Sequence, residues 1–239
     1  MNRKMTFPSA RLFCLPLLLV CCGCPAAPSL PPEQRQIPSC WISVKATSRS
    51  DDGKGLERSD AAAITSNAPT ITTLVVERVG AGTAVRDQRE TQVRIAGTSD
   101  QYFQLLREAT KADVARGRFL TAKDVLTSAH VVVLDVPVAE ELFPGEQAVG
   151  QEIMIGTQPF SVVGVVRSAR DSHLEDVPRD AYIPITTFQP DQLQLEEPSK
   201  ADLDRIWVRV DVLDRVEATR EIIENLMRKR HSNTEFSIR

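Results

Sequence analysis

Three histidines and one short acidic cluster are the side chains of this sequence whose types suit catalysis or metal binding. The histidines are His130, His173 and His231, and they lie far apart along the chain. The acidic cluster, residues 171–176, includes only His173, and so few ligands this close together seldom enclose an ion. A solvated loop is therefore the favoured interpretation, and a metal site is the alternative. No His-Glu-x-x-His or Gly-x-Ser-x-Gly pattern occurs, and the one Cys-x-x-Cys spacing, Cys21 to Cys24, lies among the first 24 residues. The sequence therefore predicts no catalytic, cofactor-binding or metal-binding residue.

The N-terminal residues have the layout of a signal peptide. Basic residues precede an apolar run over residues 12–22, and the small residue Gly23 and then Cys24 follow it. The apolar run has about half the roughly 20 residues that a helix needs to cross a bilayer. We therefore predict that residues 1–24 are an export signal and not a permanent spanning helix.

Cysteines cluster where this signal would end. Gly23 followed by Cys24 resembles the bacterial lipobox, in which the cysteine is lipidated and becomes the mature N-terminus. The pattern departs at Cys21, where a lipobox usually has leucine; Cys22 is the alternative lipidation site, and cleavage near residues 26–27 without lipid is a third interpretation. Lipidation of Cys24 would hold the protein at the extracytoplasmic face of a membrane, either the inner or the outer one.

The residues that follow predict a tether leading into a folded domain. Five prolines among residues 25–39 favour an extended, semi-rigid segment. Cys40 is the last cysteine in the sequence, so residues 25–239 cannot form an internal disulfide. Its position beside Trp41, at the start of an apolar segment, favours a buried structural thiol over a reactive one.

Charge excludes one class of partner. The chain has a net charge of −3, and its first 24 residues hold three bases and no acid. The remainder is therefore more acidic, with 26 bases against 32 acids. Because nucleic-acid binding depends mainly on neutralising phosphates with Lys and Arg, we expect no nucleic-acid partner.

Hydrophobic periodicity predicts an α+β fold with matching elements at its two ends. The opening segment predicts the order β-α-β-β, with a strand over 40–45, a helix capped by Ser59 or Asp60, a strand over 70–79, a turn at 80–82 and a strand ending near 95–97. The closing segment predicts a βαβ unit, with a strand over 206–212, a helix over 215–230 and a strand over 235–239. We expect the two segments to share one sheet.

A smaller α/β unit is predicted between these ends. Its expected elements are a helix capped by Ser99, a helix begun by the capping box of Thr121 and Asp124, a doubly buried strand over 131–134, a helix begun by Pro137 and a hairpin over 152–166. Residues 188–198 are interpreted as a polar connector. The predicted organisation is two half-domains, 40–97 and 191–239, with an inserted subdomain over 98–190.

Two features of the last predicted helix have both a structural and a binding interpretation. The apolar stripe, made of Ile222, Ile223, Leu226 and Met227, favours packing on the domain's own sheet over binding a partner helix. The basic residues 228–231 favour stabilisation of the helix C-terminus through the macrodipole over contact with anionic lipid.

A series of sequence blocks in the inserted region resembles a known family. The blocks are Gly117-Arg118-Phe119-Leu120-Thr121-Ala122-Lys123-Asp124, Val131-Val132-Val133-Leu134, Val138-Ala139-Glu140-Glu141-Leu142-Phe143-Pro144-Gly145, Ala148-Val149-Gly150-Gln151-Glu152-Ile153, Phe160-Ser161-Val162-Val163-Gly164-Val165-Val166 and Ala181-Tyr182-Ile183-Pro184-Ile185-Thr186-Thr187. In order and spacing they are similar to the periplasmic core domain of MacB/FtsX-type ABC transporter permeases. The resemblance is strong over residues 113–188 and covers about 40–239.

The resemblance implies a fold and a role. In the family, a porter-like subdomain with an inserted second subdomain lies between two transmembrane helices of a permease, and it relays motion from ATP hydrolysis to envelope partners or substrates. Here the predicted signal peptide stands where the first spanning helix would be, and no Gly-x-x-x-x-Gly-Lys-Ser/Thr loop is present to bind ATP phosphates.

The sequence therefore predicts a non-enzymatic, membrane-tethered binding or coupling domain of the periplasm. Its expected partners are the membrane, through the N-terminal lipid, and a separate ABC permease, ATPase or other envelope protein in transport or efflux. The alternatives are an exported enzyme, such as a hydrolase with an unrecognised site, and a nonfunctional permease fragment.

Overall fold

The computed structural model describes residues 40–47, 55–168, 180–196, 199–232 and 234–239. Within these ranges ten strands form one mixed sheet: β1 Trp41–Ala46, β2 Ile71–Arg86, β3 Arg89–Thr98, β4 Asp113–Gly117, β5 Val131–Asp135, β6 Glu152–Ile155, β7 Gln158–Arg167, β8 Asp180–Pro184, β9 Arg205–Val210 and β10 Phe236–Ile238. The helices of these ranges are α1 Arg58–Asn67, α2 Tyr102–Thr110, α3 Ala122–Leu126, α4 Val136–Leu142, α5 Pro190–Leu193 and α6 Val216–Arg230, with 3₁₀ turns at Ile185–Thr187 and Leu213–Arg215.

The sheet joins the opening and closing segments of the described domain, as the sequence predicts. Its order is β10-β1-β9-β2-β3-β8-β5-β7-β4, and β6 pairs with both β2 and β7. The closing strand β9 lies between the opening strands β1 and β2, antiparallel to both. The predicted β-α-β-β and β-α-β orders are therefore confirmed, and so is their shared sheet.

Strand β2 is longer than predicted because residues 80–82 do not turn. Its first half pairs with β9 and its second half with β3, and the turn comes later, at Asp87 and Gln88. The glycines serve close packing instead: a Cβ on Gly80 would lie 2.5 Å from Leu195 Cδ1, and one on Gly82 would lie 2.9 Å from Ile95 Cδ1. The predicted turn is wrong because glycine also marks a strand that another segment approaches closely.

Alternation along the central strands buries both faces of the sheet. On one face, Ile42 and Val44 of β1 and Val208 of β9 pack against α1 and α6. This core includes Ile64, Ile223 and Met227.

On the opposite face, the alternate residues Trp41 and Trp207 pack with Val75 against α2. The contacting residues of α2 are Tyr102, Leu105 and Leu106. A third core joins β3, β5, β7 and α4.

Helix starts are only partly as predicted. The capping box of Thr121 and Asp124 is confirmed at α3, and Pro137 lies in the first turn of α4. The cap of α1 is Glu57, three residues before Asp60, which instead supplies the reciprocal carboxylate. The residue before α2 is Gln101, and the backbone carbonyl of Ser99 accepts from Tyr102 N at 3.2 Å, so Ser99 is not the cap.

The segment after residue 187 is more than the polar connector that the sequence predicts. Phe188 and Leu193 are buried in the core beside α4, and Leu193 is the last residue of α5. The carbonyl of Gln192 accepts hydrogen bonds from Thr157 N at 2.9 Å and from Thr157 Oγ1 at 3.0 Å. This segment therefore packs against the turn between β6 and β7. Its apolar residues Phe188 and Leu193 help to fill the core.

Candidate functional site

A buried ionic cluster lies where β2, β3 and β8 meet. Arg94 of β3 donates to both oxygens of Asp180, from Nε to Oδ1 at 2.8 Å and from Nη2 to Oδ2 at 3.3 Å. Its Nη1 reaches Glu77 Oε1 of β2 at 3.1 Å. Asp180 is fully buried and Glu77 is 2% exposed. One guanidinium thus bridges two carboxylates on its two neighbouring strands.

Aromatic side chains complete the hydrogen bonding of this cluster. Glu77 accepts from Tyr102 Oη at 2.9 Å and from Trp207 Nε1 at 2.9 Å. Asp180 accepts from Tyr182 Oη at 3.0 Å. Because Tyr102 belongs to α2 and Trp207 to β9, the cluster connects four strands and one helix.

Burial and charge fix the protonation of the cluster. Burial alone would lower the pKa of Arg94, but the carboxylates of Asp180 and Glu77 raise that pKa well above its ordinary value. Burial, with the nearby charges of Asp180 and Asp135, raises the pKa of Tyr182 well above its ordinary value. Arg94 therefore stays charged, and Tyr182 stays a hydrogen-bond donor. Chemically, such a cluster positions strands relative to one another.

The first of the sequence blocks, residues 117–124, contains a second and more exposed ion pair. Arg118 donates to Asp124 from Nη1 to Oδ2 at 2.6 Å and from Nη2 to Oδ1 at 3.1 Å. Partial burial alone would raise the pKa of Asp124, yet hydrogen bonds from Arg118 and Thr121 lower it. Gly164 allows the approach of this block to β7, since a Cβ there would lie 1.9 Å from the carbonyl oxygen of Arg118.

The basic end of α6 binds a buried carboxylate. Asp60, fully buried in α1, accepts from Arg230 Nε at 2.6 Å and from His231 Nε2 at 2.9 Å. Arg228 instead donates to Asn225 Oδ1 at 3.1 Å and is exposed. Part of the basic segment thus joins α6 to α1, a contact that the sequence pattern does not predict.

The two histidines that the structure describes lie in different surroundings. His130 is exposed and stacks on Phe160 with ring centroids 5.3 Å apart, whereas His231 binds Asp60. No three His, Cys, Asp or Glu side chains of the described ranges are arranged to hold a metal ion. His173 and its acidic cluster, the signal peptide with Cys22 and Cys24, and the tether lie outside the described residues.

Cys40 is less buried than predicted, whereas the apolar stripe of α6 packs on the sheet as predicted. Cys40 is a free thiol, but it is half-buried and not fully buried, because it precedes the first residue of β1 at the end of the sheet. Ile223 and Met227 are buried, and Leu226 packs against the same core, which confirms packing on the sheet. Ile222 is 39% exposed; the other large apolar residues among the described ones that are exposed are Leu126 at 84%, Val212 at 47% and Leu213 at 57%.

Sequence reasoning missed the Glu77–Arg94–Asp180 cluster. Glu77 alternates with the apolar residue Val75 of β2, Arg94 lies between Val93 and Ile95 of β3, and Asp180 begins the apolar strand β8. Because a buried charge needs a partner, three such charges in strands were a signal that could have pointed to an internal ion cluster.

None of the helices in the described part of the chain combines the length and apolar composition needed to span a bilayer.

Comparison with known proteins points to one family. The family model described as the MacB-like periplasmic core domain matches residues 33–226. The probable export ATP-binding/permease protein MacB of Pseudomonas entomophila is 29% identical over 160 residues, which cover 66% of this chain and 23% of that protein. The macrolide export ATP-binding/permease protein MacB of Nitrobacter winogradskyi is 33% identical over 128 residues, 53% of this chain and 19% of that protein. The chain thus spans about a quarter or less of the length of these relatives.

Solved structures show the same fold. The periplasmic region of MacB from Actinobacillus actinomycetemcomitans superposes with a TM-score of 0.68 at 22% identity, covering 85% of this chain and 89% of that one. The extracellular domain of the ABC-type transporter YknZ from Gram-positive bacteria gives a TM-score of 0.64 at 18% identity, covering 83% and 99%. These neighbours confirm the predicted α+β fold, and the match to the family model confirms the resemblance read from the sequence blocks. The chain belongs to the MacB-like periplasmic core domain family.

Proposed function

We propose that this protein is an extracytoplasmic, membrane-tethered binding and coupling domain that works beside a separate ABC transporter. The observation that carries the proposal is the family match over residues 33–226. The family and fold are those of transporter periplasmic domains. Relatives named as export ATP-binding/permease proteins contain this domain within a much longer chain.

The buried ionic cluster supports a coupling role. A domain that relays a displacement must hold its parts at fixed positions, and a charge network with satisfied hydrogen bonds is a rigid connection. Glu77, Arg94 and Asp180 lie beside the boundary that we place between the half-domain over 40–97 and the inserted subdomain over 98–190. In our proposal, displacement of one part is thereby transmitted to the other.

In the proposal, a lipidated cysteine and the proline-rich segment after it tether the domain to the membrane. Lipidation of Cys24, with Cys22 as the alternative, would anchor the domain through the proline-rich segment over 25–39. A single acyl chain binds membranes only marginally, whereas the multiply acylated cysteine typical of bacterial lipoproteins would give a stable anchor. The tethered domain would then meet its partners at the membrane surface, where transporters of this family act.

The test is recovery of the full-length tagged protein from native membranes after crosslinking, with mass spectrometry of its partners and of its mature N-terminus. Three forms are compared: the unmodified sequence, Cys24→Ser and the matched control Cys22→Ser. We expect an ABC permease or ATPase among the crosslinked proteins and a lipidated N-terminal Cys24. Cys24→Ser should lose the lipid and leave the membrane fraction, whereas Cys22→Ser should behave as the parent.

Other outcomes would overturn specific parts. Loss of lipid in Cys22→Ser alone would assign the anchor to Cys22. A protein that carries no lipid, stays in the soluble fraction and crosslinks to no transporter component would contradict both the tether and the accessory role.

A further inference from the structure

Two exposed apolar side chains lie where the tether enters the domain. Val210, the last residue of β9, donates its backbone N–H to the Cys40 carbonyl at 2.8 Å. The next residue, Asp211, donates to the Thr70 carbonyl at 3.0 Å, at the start of β2. Val212 and Leu213 follow directly, so the loop that holds them lies at the same end of the sheet as Cys40.

This loop is structured and not a loose connection. Val212 N donates to Asp211 Oδ1 at 2.8 Å, and Arg215 N donates to the Val212 carbonyl at 3.2 Å. A 3₁₀ turn over Leu213–Arg215 then leads directly into α6. Val212 and Leu213 are nevertheless 47% and 57% exposed, so the backbone holds two adjacent apolar side chains toward the outside of the domain.

Charge around the loop is nearly balanced. Asp211 is paired with the Arg215 guanidinium at 2.5 Å, and Asp214 adds one further negative charge between them. Such a surface is not suited to anionic lipid, which attracts clusters of Lys and Arg. It is compatible with a zwitterionic surface into which the apolar side chains insert.

We propose that Val212 and Leu213 form a membrane-contact loop that touches a zwitterionic lipid surface. This inference rests on the proposed membrane tether: residues 25–39 would lead from the lipidated cysteine to Cys40, beside this loop. The tether brings the loop repeatedly to the bilayer, and insertion of the two apolar side chains into the headgroup boundary removes them from water. The contact fixes which end of the domain faces the membrane.

The test uses an indole as a local reporter in the full-length protein. Leu213→Trp is compared with Leu126→Trp, a matched control whose parent leucine is exposed and lies on α3, in another part of the sequence. The native Trp41 and Trp207 are 2% and 3% exposed and contribute the same background to both variants. Each variant is reconstituted through its own N-terminus into phosphatidylcholine vesicles with brominated acyl chains.

We expect the indole introduced by Leu213→Trp to be quenched about twofold or more by the brominated lipid, and its emission to shift to shorter wavelength, because indoles favour the bilayer interface. The indole introduced by Leu126→Trp should keep its solvent-exposed emission. Added salt should leave the quenching unchanged, since the contact is apolar.

Failure of the tether and failure of this loop contact give different results. If the protein does not float with the vesicles, the tether itself is absent and the inference falls with it. If the protein floats but the two indoles behave alike, the tether stands and the loop contact is overturned. A photocrosslinker at position 213 that attaches to protein and not to lipid in native membranes would equally overturn the lipid contact.

Discussion

Arg94 and Asp180 are directly paired residues on adjacent parallel strands, and the guanidinium of the first binds both carboxylate oxygens of the second. They are 86 positions apart in the sequence. The pair therefore sets the register between β3 and β8, since a shift of one residue would direct either side chain to the opposite face of the sheet.

Replacing Arg94 with methionine should strongly destabilise the fold. The change leaves two buried carboxylates, Glu77 and Asp180, without their cation, and breaking a buried ion pair from one side costs about 3–5 kcal/mol. The measurement is the free energy of unfolding in urea. Arg89→Met on the same strand is the control, because Arg89 is exposed and its loss should cost under about 0.5 kcal/mol. Equal effects of the two substitutions would contradict the role assigned to the cluster.

The hydrogen bonds of Asp124 should make stability depend on pH in the acid range. Its pKa is lower in the folded than in the unfolded protein, so its stabilising contribution is present at neutral pH and is lost as pH falls through the folded-state pKa. Asp124→Asn should lower the free energy of unfolding by about 1–2 kcal/mol at pH 7. This deficit should begin to shrink below about pH 4, the ordinary pKa of an aspartate, and should shrink further as the folded-state carboxylate is protonated at lower pH.

The matched control for this experiment is Asp113→Asn, because the Asp113 side chain is 60% exposed and its ion pair with Arg167 is long, at 3.7 Å. Its stability should follow the parent at both pH values. An Asp124→Asn deficit that stays constant from pH 7 to pH 3 would show that the carboxylate charge has no part in the effect.

Tyr182 should remain protonated until the protein unfolds. Its pKa in the folded state is raised above the ordinary value near 10, so the stability that it contributes is present below pH 10 and is lost as pH rises further. In a Tyr102→Phe background Tyr182 is the remaining tyrosine, and tyrosinate absorbance can be followed beside circular dichroism. The two signals should change together. Tyrosinate formation in a protein that retains its native circular dichroism would contradict the burial and charge environment of Tyr182.

Gly164→Ala should destabilise the corner between β7 and the segment before α3. The added Cβ would lie 1.9 Å from the backbone oxygen of Arg118, which cannot move as a side chain would. Overpacking of this kind costs about 1–3 kcal/mol or more. Gly145→Ala has no atom within 4 Å of the new Cβ, and its positive φ should cost about 1 kcal/mol. Thermal unfolding of both variants checks the order, and a larger loss for Gly145→Ala would overturn it.

Local patterns predicted the local structure well. Helical spacing placed α6, the Thr121 and Asp124 pair gave the start of α3, and β-branched residues marked β5 and the first half of β2. The error at residues 80–82 arose because glycine suits a turn but also suits a strand that a tertiary neighbour approaches closely. The error at Ser99 is one of position, since the residue before α2 is Gln101. Strand β4 carried no apolar alternation and was missed.

Long-range contacts were beyond single-sequence reasoning. The interaction of Glu77, Arg94 and Asp180 depends on which strands become neighbours and in what register, and neither is encoded in any one window of the sequence. The contact of Asp60 with Arg230 and His231 likewise appears only once α1 and α6 pack side by side. The family resemblance predicted the overall fold without predicting any of these contacts.

Strand β2 gives the domain a particular mechanical character. It is a single strand of 16 residues that pairs with β9 along its first half and with β3 along its second. A force applied at the β1–β9 side therefore reaches the β3–β8 side along continuous hydrogen-bonded backbone, without passing through a loop. Relative motion of the two sides would therefore change the twist of β2 near Glu77 and Arg78, where its pairing passes from β9 to β3.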